Sequence, residues 1–250
     1  MDELEVYRDT LLYLVLLVAV TLATVLPALI ALRRMRARAK SMIRAGSRQG
    51  FAPWSGLDTV LLVELTRLGV LDSVEAGMVF HPQYREEGGR RWWLFDLLTG
   101  QSAWRRYLLR DRAAASTRTV VLVISETLDS PYLMIEPENP RNRALGTLAD
   151  RVETLYGLEA LELPSGTRPV PGIRIRSHPG EQAKALGVVM ESGLLETLRR
   201  EHDLALRARG KAFALVRPLS PTEPRQIASL IGTADVLVSE LESAARRQGQ

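Results

Sequence analysis

The chain has 250 residues, no cysteine and a formal net charge of +4, with 46% hydrophobic and 25% charged residues. The lack of cysteine excludes disulfides, thiolate nucleophiles and thiolate metal sites. The positive charge is local: residues 33–48 hold seven basic residues and no acid, residues 1–10 are net −3, and residues 49–250 sum to zero. The bulk of the chain therefore lacks the basic excess with which a nucleic-acid-binding domain tracks a phosphate backbone.

Residues 1–10 read as a short acidic tail. Leu11 to Leu32 then forms a 22-residue run without a charged side chain. At about 1.5 Å per residue such a helix reaches roughly 33 Å, enough for a hydrocarbon core of about 30 Å. The run predicts a transmembrane helix over 11–32. Arg33, Arg34, Arg36, Arg38, Lys40 and Arg44 follow it. By the positive-inside rule these residues mark the cytoplasmic membrane interface, with the N-terminus outside. The expected location is a bacterial inner membrane, with the lipid bilayer as the partner of residues 11–32. Residues 33–55 read as a basic juxtamembrane segment and linker, helical until about Gly46. Two readings of Met35, Met42 and Ile43 stay open: residues lying along lipid headgroups, or parts of a plain stop-transfer flank.

Residues 56–250 are expected to form a soluble domain. Leu57 to Leu71 predicts a buried helix. Val79–Arg85 and Arg90–Leu98 flank Glu86-Glu87-Gly88-Gly89, a hairpin signal because Gly supplies the positive φ of a tight turn. Apolar residues on both faces of Arg90–Leu98 suggest a strand covered on both sides, with Trp92 and Trp93 read either as core or as a stacking platform. The segment Ser102 to Arg112 is read as a short amphipathic helix or a loop. Its Trp104, Arg105, Tyr107 and Leu108 are the candidate contacts for a partner or for lipid.

Thr119 to Ser125 is an unbroken β-branched run and predicts a central strand. Tyr132 to Glu136 is expected beside it after a turn at Asp129-Ser130-Pro131. Asn142 to Tyr156 predicts a helix. The Pro- and Gly-rich stretch 163–172 leaves open a division into lobes 56–165 and 166–250. Ile173–Arg176 reads as a strand, and Gly180–Leu186 and Ser192–Arg200 as helices. Leu204–Arg207 and Ala212–Arg217 read as a hairpin around Gly210. The closing helix carries Ile227, Leu230, Ala234, Leu237 and Leu241 on one stripe. Ser220-Pro221-Thr222-Glu223 has capping-box spacing at its start.

Chemistry-bearing motifs are sparse. There is no Walker or dinucleotide glycine loop and no nucleophile elbow, so no cofactor is expected. His81, His178 and His202 show no helical pairing, and no metal or catalytic residues are assigned. Glu201-His202-Asp203 reads as a solvated charged turn or an acid/base cluster. Glu136-Pro137-Glu138 reads as a strand-edge feature.

Thr119-Val120-Val121-Leu122, the segment Pro131 through Glu138, and Ile173 through Leu241 together resemble a recurrent set of uncharacterised bacterial single-pass membrane-anchored proteins. The resemblance implies an anchor and a cytoplasmic α+β domain, and it carries no catalytic residues. The expected fold is thus α+β: an N-terminal transmembrane helix, then antiparallel β hairpins packed with helices, closing in a long C-terminal helix. The expected function is a membrane-anchored protein-interaction or scaffold domain with a protein partner and no nucleic acid. The alternatives are a membrane-tethered enzyme, such as a hydrolase, or a domain sensing anionic lipid. The sequence leaves oligomeric state and any enzymatic activity open.

Overall fold

The computed structural model describes residues 2–55, 59–70, 79–98, 117–137, 157–167, 170–201, 203–217 and 222–248. The chain divides into two units: Met1–Ser41 with Gly100–Ala115, and Met42–Thr99 with Ser116–Gln250.

Helix α1 runs from Asp2 to Ser47, 46 residues without a break, and supplies most of the first unit. Among the described residues no helix is long and apolar enough to cross a membrane, so the transmembrane span expected over Leu11–Leu32 is not established by the fold. Side chains at 11–12, 22–24, 27–28 and 31–32 lie outside the described residues. Those that are described, Tyr13 to Thr21, Val25, Leu26, Leu29 and Ile30, are all exposed.

The second unit is built on a nine-stranded sheet. Its strands are β1 (Ala52–Pro53), β2 (Val79–Glu87), β3 (Arg90–Leu98), β4 (Thr117–Ser125), β5 (Ser130–Pro137), β6 (Glu159–Ala160), β7 (Ile173–Ser177), β8 (Ala205–Gly210) and β9 (Ala212–Val216). They stand in the order β1-β2-β3-β4-β9-β8-β5-β7-β6, and every pair is antiparallel. Strands from before and after residue 165 alternate in it, so the two candidate lobes share one sheet. β2 and β3 join as expected through Gly88 and Gly89, at φ +60° and +75°, both in the left-handed region that a two-residue hairpin turn demands.

Two sequence expectations are corrected here. β5 does not lie beside β4, because the β8–β9 hairpin is inserted between them. The chain leaves β4 at Ser125, whose N–H donates to the Lys211 carbonyl at 2.9 Å. It then passes over the hairpin tip and re-enters at Ser130, opposite Gly210. The linker is the second correction: Ala52–Pro53 pairs with β2 as an edge strand, and the Trp54 N–H donates to the Pro82 carbonyl at 2.8 Å.

One face of the sheet is covered by α3 (Gln182–Glu191), α4 (Leu194–Arg200) and α5 (Ile227–Gln248). Val188, Val189, Leu194, Leu198 and the expected α5 stripe pack there on Trp92, Leu94, Val121, Val123, Leu133, Leu206 and Phe213. Met42 and Phe51 belong to this core; at 2% exposure Met42 is an interior residue, which corrects its headgroup reading. The opposite face receives α2 (Thr59–Arg67), whose Leu61 and Leu65, with Leu68, cover Trp93, Phe95, Leu122 and Ala214. Trp92 and Trp93 are 2% and 1% exposed, one in each core. They form no stacking platform.

Before α5 the capping motif falls three residues later than expected. Glu223 is extended, at φ −78° and ψ 152°, as a residue preceding proline must be. The short helix Pro224–Gln226 follows it, and the Glu223 N–H donates to Gln226 Oε1 at 2.9 Å. Ser220 and the expected helix Asn142–Tyr156 lie outside the described residues.

Candidate docking surface

Alternation along β5, β7 and β8 decides which side chains reach each face. Leu133, Ile135, Ile175, Leu206 and Ala208 go to the helix-covered core. The other face therefore receives Tyr132, Met134 and Glu136 from β5, Arg174 and Arg176 from β7, and Arg207 and Arg209 from β8. Arg118 of β4 reaches the same face, in phase with Val120 and Leu122. Strands β4, β5, β7, β8 and β9 thus carry five arginines and one carboxylate, Glu136.

Cross-strand register sets the spacing. Arg207, Met134 and Arg176 stand opposite one another across β8, β5 and β7, and Glu136 faces Arg174 in the next row. Arg207 Nη2 donates to Glu136 Oε1 at 2.8 Å, and its Nη1 donates to the Gly69 and Leu68 carbonyls. Arg207 thereby caps α2, where the free carbonyls and the negative end of the helix dipole favour a cation. Gly69 is at φ +65°, and a Cβ there would stand 3.2 Å from Arg207 Nη1. Arg176 is 8% exposed. Arg118 Nε is buried without a hydrogen-bond partner among the described residues. Burial lowers the proton affinity of Arg118, the positive charge of Arg207 lowers it further, and Glu136 works the other way.

Tyr132 is held from several sides. Its N–H donates to Glu181 Oε2 at 2.5 Å and its carbonyl accepts from Ser177 Oγ at 2.7 Å. The Arg209 guanidinium lies 5.6 Å from its ring centre, within cation–π range. The His178 ring lies 4.6 Å away at 46°. His178 Nδ1 is 3.2 Å from the Gly157 carbonyl, an acceptor, so that nitrogen carries the proton. Tyr132, Met134 and Leu158 form a small apolar cluster between the arginines. The cluster is enclosed, with Tyr132 and Met134 each 6% and Leu158 8% exposed, and Arg176 beside it is buried as well.

The residues singled out from sequence have mixed fates. Glu136 does converge with other functional groups, namely Arg207 and Arg118, whereas Glu138 lies outside the described residues. Glu201 is taken up structurally: it accepts from Arg217 Nη2 at 2.5 Å and from Thr233 Oγ1 at 2.7 Å, while His202 lies outside the described residues. Trp104, Arg105, Tyr107 and Leu108 lie outside them as well. Arg33, Arg36, Lys40 and Arg44 are exposed and Arg38 is half-buried; the Arg34 side chain is not among those described. His81 sits at φ +53° in the bulge of β2. Sequence reasoning missed the arginine face. The signal for it was the alternation in Ile173–Ser177 and Ala205–Gly210, where every second residue is an arginine.

No family model matches the sequence, and no curated protein does. Among solved structures, the crystal structure of the mycobacterial trehalose monomycolate transport factor A, TtfA, is similar. The TM-score is 0.54 at 9% sequence identity, and the match covers 84% of this chain and 96% of that one. At such identity the likeness concerns the fold: this mixed α/β architecture, with its large antiparallel sheet and closing helix, is shared with TtfA.

Proposed function

We propose that this chain is a single-pass inner-membrane protein whose cytoplasmic α+β domain docks a protein partner as a scaffold or assembly factor. The observation that carries the reading is α1. An uncharged 22-residue run sits within a helix that continues unbroken through six basic residues to Ser47, and Met42 of the same helix is built into the domain core. Exposed apolar side chains such as Leu14, Leu16, Leu17 and Leu26 are costly in water and at home in a bilayer. The resemblance to uncharacterised single-pass proteins supports the same arrangement. TtfA, described as a transport factor, adds an analogy at the level of fold, and extends the proposal to an accessory of a membrane transport machine.

The absence of cysteine gives a direct test of anchoring. Single cysteines introduced as Thr10→Cys and Ser47→Cys are probed with a membrane-impermeant maleimide in intact and permeabilised cells. Labelling of the first in intact cells, and of the second only after permeabilisation, is the expected result. Equal labelling of both in intact cells, or release of the protein by alkaline carbonate, overturns the anchor. Purification of the full chain from its native membrane in mild detergent tests the partner: a stoichiometric companion is expected, and recovery of the chain alone overturns the docking role.

A further inference from the structure

We infer that the face of α1 carrying Leu26, Leu29, Ile30, Arg33, Arg36 and Lys40 is a binding site for an anionic phospholipid. The inference rests on the anchoring proposed above and goes beyond it. An anchor needs only an apolar span, whereas this face selects the class of lipid that lies beside it.

Helical periodicity is the first argument. Residues three, four and seven apart share one side of an α-helix. Leu26, Leu29 and Ile30 lie seven, four and three positions before Arg33, and Arg36 and Lys40 lie three and seven after it. All six therefore fall on one stripe of α1. Their side chains are all exposed, Leu26, Leu29 and Ile30 at 53%, 50% and 43%. The stripe is apolar up to Ile30 and cationic from Arg33 onward. An amphiphile with an apolar tail and an acidic head matches both halves. Free phosphate or an acidic peptide matches only the second.

The cationic half is open to an anion. Residues 33–48 contain no acid, and among the described residues Arg33, Arg36 and Lys40 take part in no ion pair. Arg38 lies off the stripe, is half-buried and already has a partner. Arg33 and Arg36 stand one turn apart, with Cβ atoms about 5–6 Å from each other. Two guanidinium groups at that separation can grip a single phosphate, for which their fork geometry is suited.

Distance decides which cations belong to the site. The headgroup layer is about 5–7 Å deep on each side of the hydrocarbon core. Along the bilayer normal Arg36 stands about 6 Å beyond Leu32 and Lys40 about 12 Å. The flexible Lys40 stem returns its ammonium to the layer. Arg44, about 18 Å beyond Leu32, lies outside it.

The test uses the full-length protein in phosphatidylcholine nanodiscs. The chain has no cysteine, so Ser41→Cys carries a donor fluorophore. The probe is trace phosphatidylglycerol or phosphatidylcholine with an acceptor on the acyl chain. Energy transfer is expected to show phosphatidylglycerol enriched about fivefold over phosphatidylcholine, the factor that one basic residue near an anionic leaflet supplies. Arg33→Gln, Arg36→Gln and Lys40→Gln together are expected to abolish the preference, and Arg44→Gln with Arg48→Gln to leave it. Thermal melts confirm that the variants fold. Equal enrichment of the two lipids around the parent overturns the inference. So does a preference that survives the triple change, or one lost equally with Arg44→Gln and Arg48→Gln. Displacement of the labelled phosphatidylglycerol by inorganic phosphate or a Glu-rich peptide, at matched ionic strength, overturns it too. Alkaline carbonate separates the two levels. A chain that it extracts removes the anchor and this site together, and one that stays in the membrane without a lipid preference removes only the site.

Discussion

Arg90, the first residue of β3, grips Glu242 of α5 along one whole edge of its guanidinium: Nε to Oε1 at 3.1 Å and Nη2 to Oε2 at 2.7 Å. The same group donates to Asp235 Oδ1 at 2.6 Å and to Ser239 Oγ at 2.9 Å, while Ser125 Oγ at the end of β4 donates to Glu242 at 2.5 Å. Two strands and the closing helix thus meet at one buried carboxylate, 5% exposed. Arg90→Ala removes the countercharge and leaves Glu242 desolvated, so a loss of about 3–5 kcal/mol is expected in chemical denaturation at neutral pH. Arg90→Lys restores charge without the fork and recovers only part of that loss.

The acid limb of the stability curve follows from the same pair. Burial opposes ionisation of Glu242, but the hydrogen bonds from Arg90 and Ser125 outweigh it and hold the carboxyl below its ordinary value of 4.5. As pH falls below 4.5 the unfolded chain takes up this proton before the folded one does, so stability declines until the folded carboxyl is protonated too. Glu242→Gln is expected to be less stable at neutral pH and to show a shallower decline below 4.5. Denaturant midpoints measured across that range check the slope.

Glu240, two residues earlier on α5, has the opposite sign. Burial raises its proton affinity above the ordinary 4.5, with Arg200 only partly offsetting this, and Oε2 is buried without a partner. Folding therefore loses stability as pH rises from 4.5 through the raised value, and is level beyond it. Glu240→Gln is expected to melt higher than the parent at neutral pH, with the difference vanishing in acid. A variant that melts lower at neutral pH contradicts this account.

Local signals in the sequence translated well into structure, and long-range ones did not. Gly88-Gly89 determined the β2–β3 hairpin because positive φ is a property of the turn residues themselves. The β-branched run after Thr119 became an interior strand, and the stripe from Ile227 to Leu241 is buried throughout. The place of β5 was illegible because it depends on residues 205–216 inserting between two strands that are adjacent in sequence. No short window contains that pairing. The capping motif shifted because two prolines compete to open the helix, and Pro224 forces Glu223 out of it. Of the candidate site, Glu136 was visible as a strand-end carboxylate. Its arginine neighbours come from β4 and β8, and become neighbours only through the inserted hairpin.

The junction of α1 with the domain offers a prediction in which two known effects oppose each other. Gly46 lies in the last turn of α1, where replacing glycine by alanine ordinarily gains about 1 kcal/mol of helix stability. Here the Gly46 Cα faces the side chain of Gln83 so closely that an added Cβ would overlap its amide. Gln83 is 1% exposed, and its Nε2 donates to the Met42 carbonyl at 3.4 Å. The amide therefore cannot swing aside without breaking this bond and leaving its buried Nε2 without that acceptor. Overpacking of this kind costs about 1–3 kcal/mol, so Gly46→Ala is expected to destabilise the domain despite its better helix propensity. Pairing it with Gln83→Ala removes the clash, and the double variant is expected to be more stable than the sum of the single changes. A double-mutant cycle by denaturation measures that coupling; additivity within error would mean that Gln83 does not restrict this position.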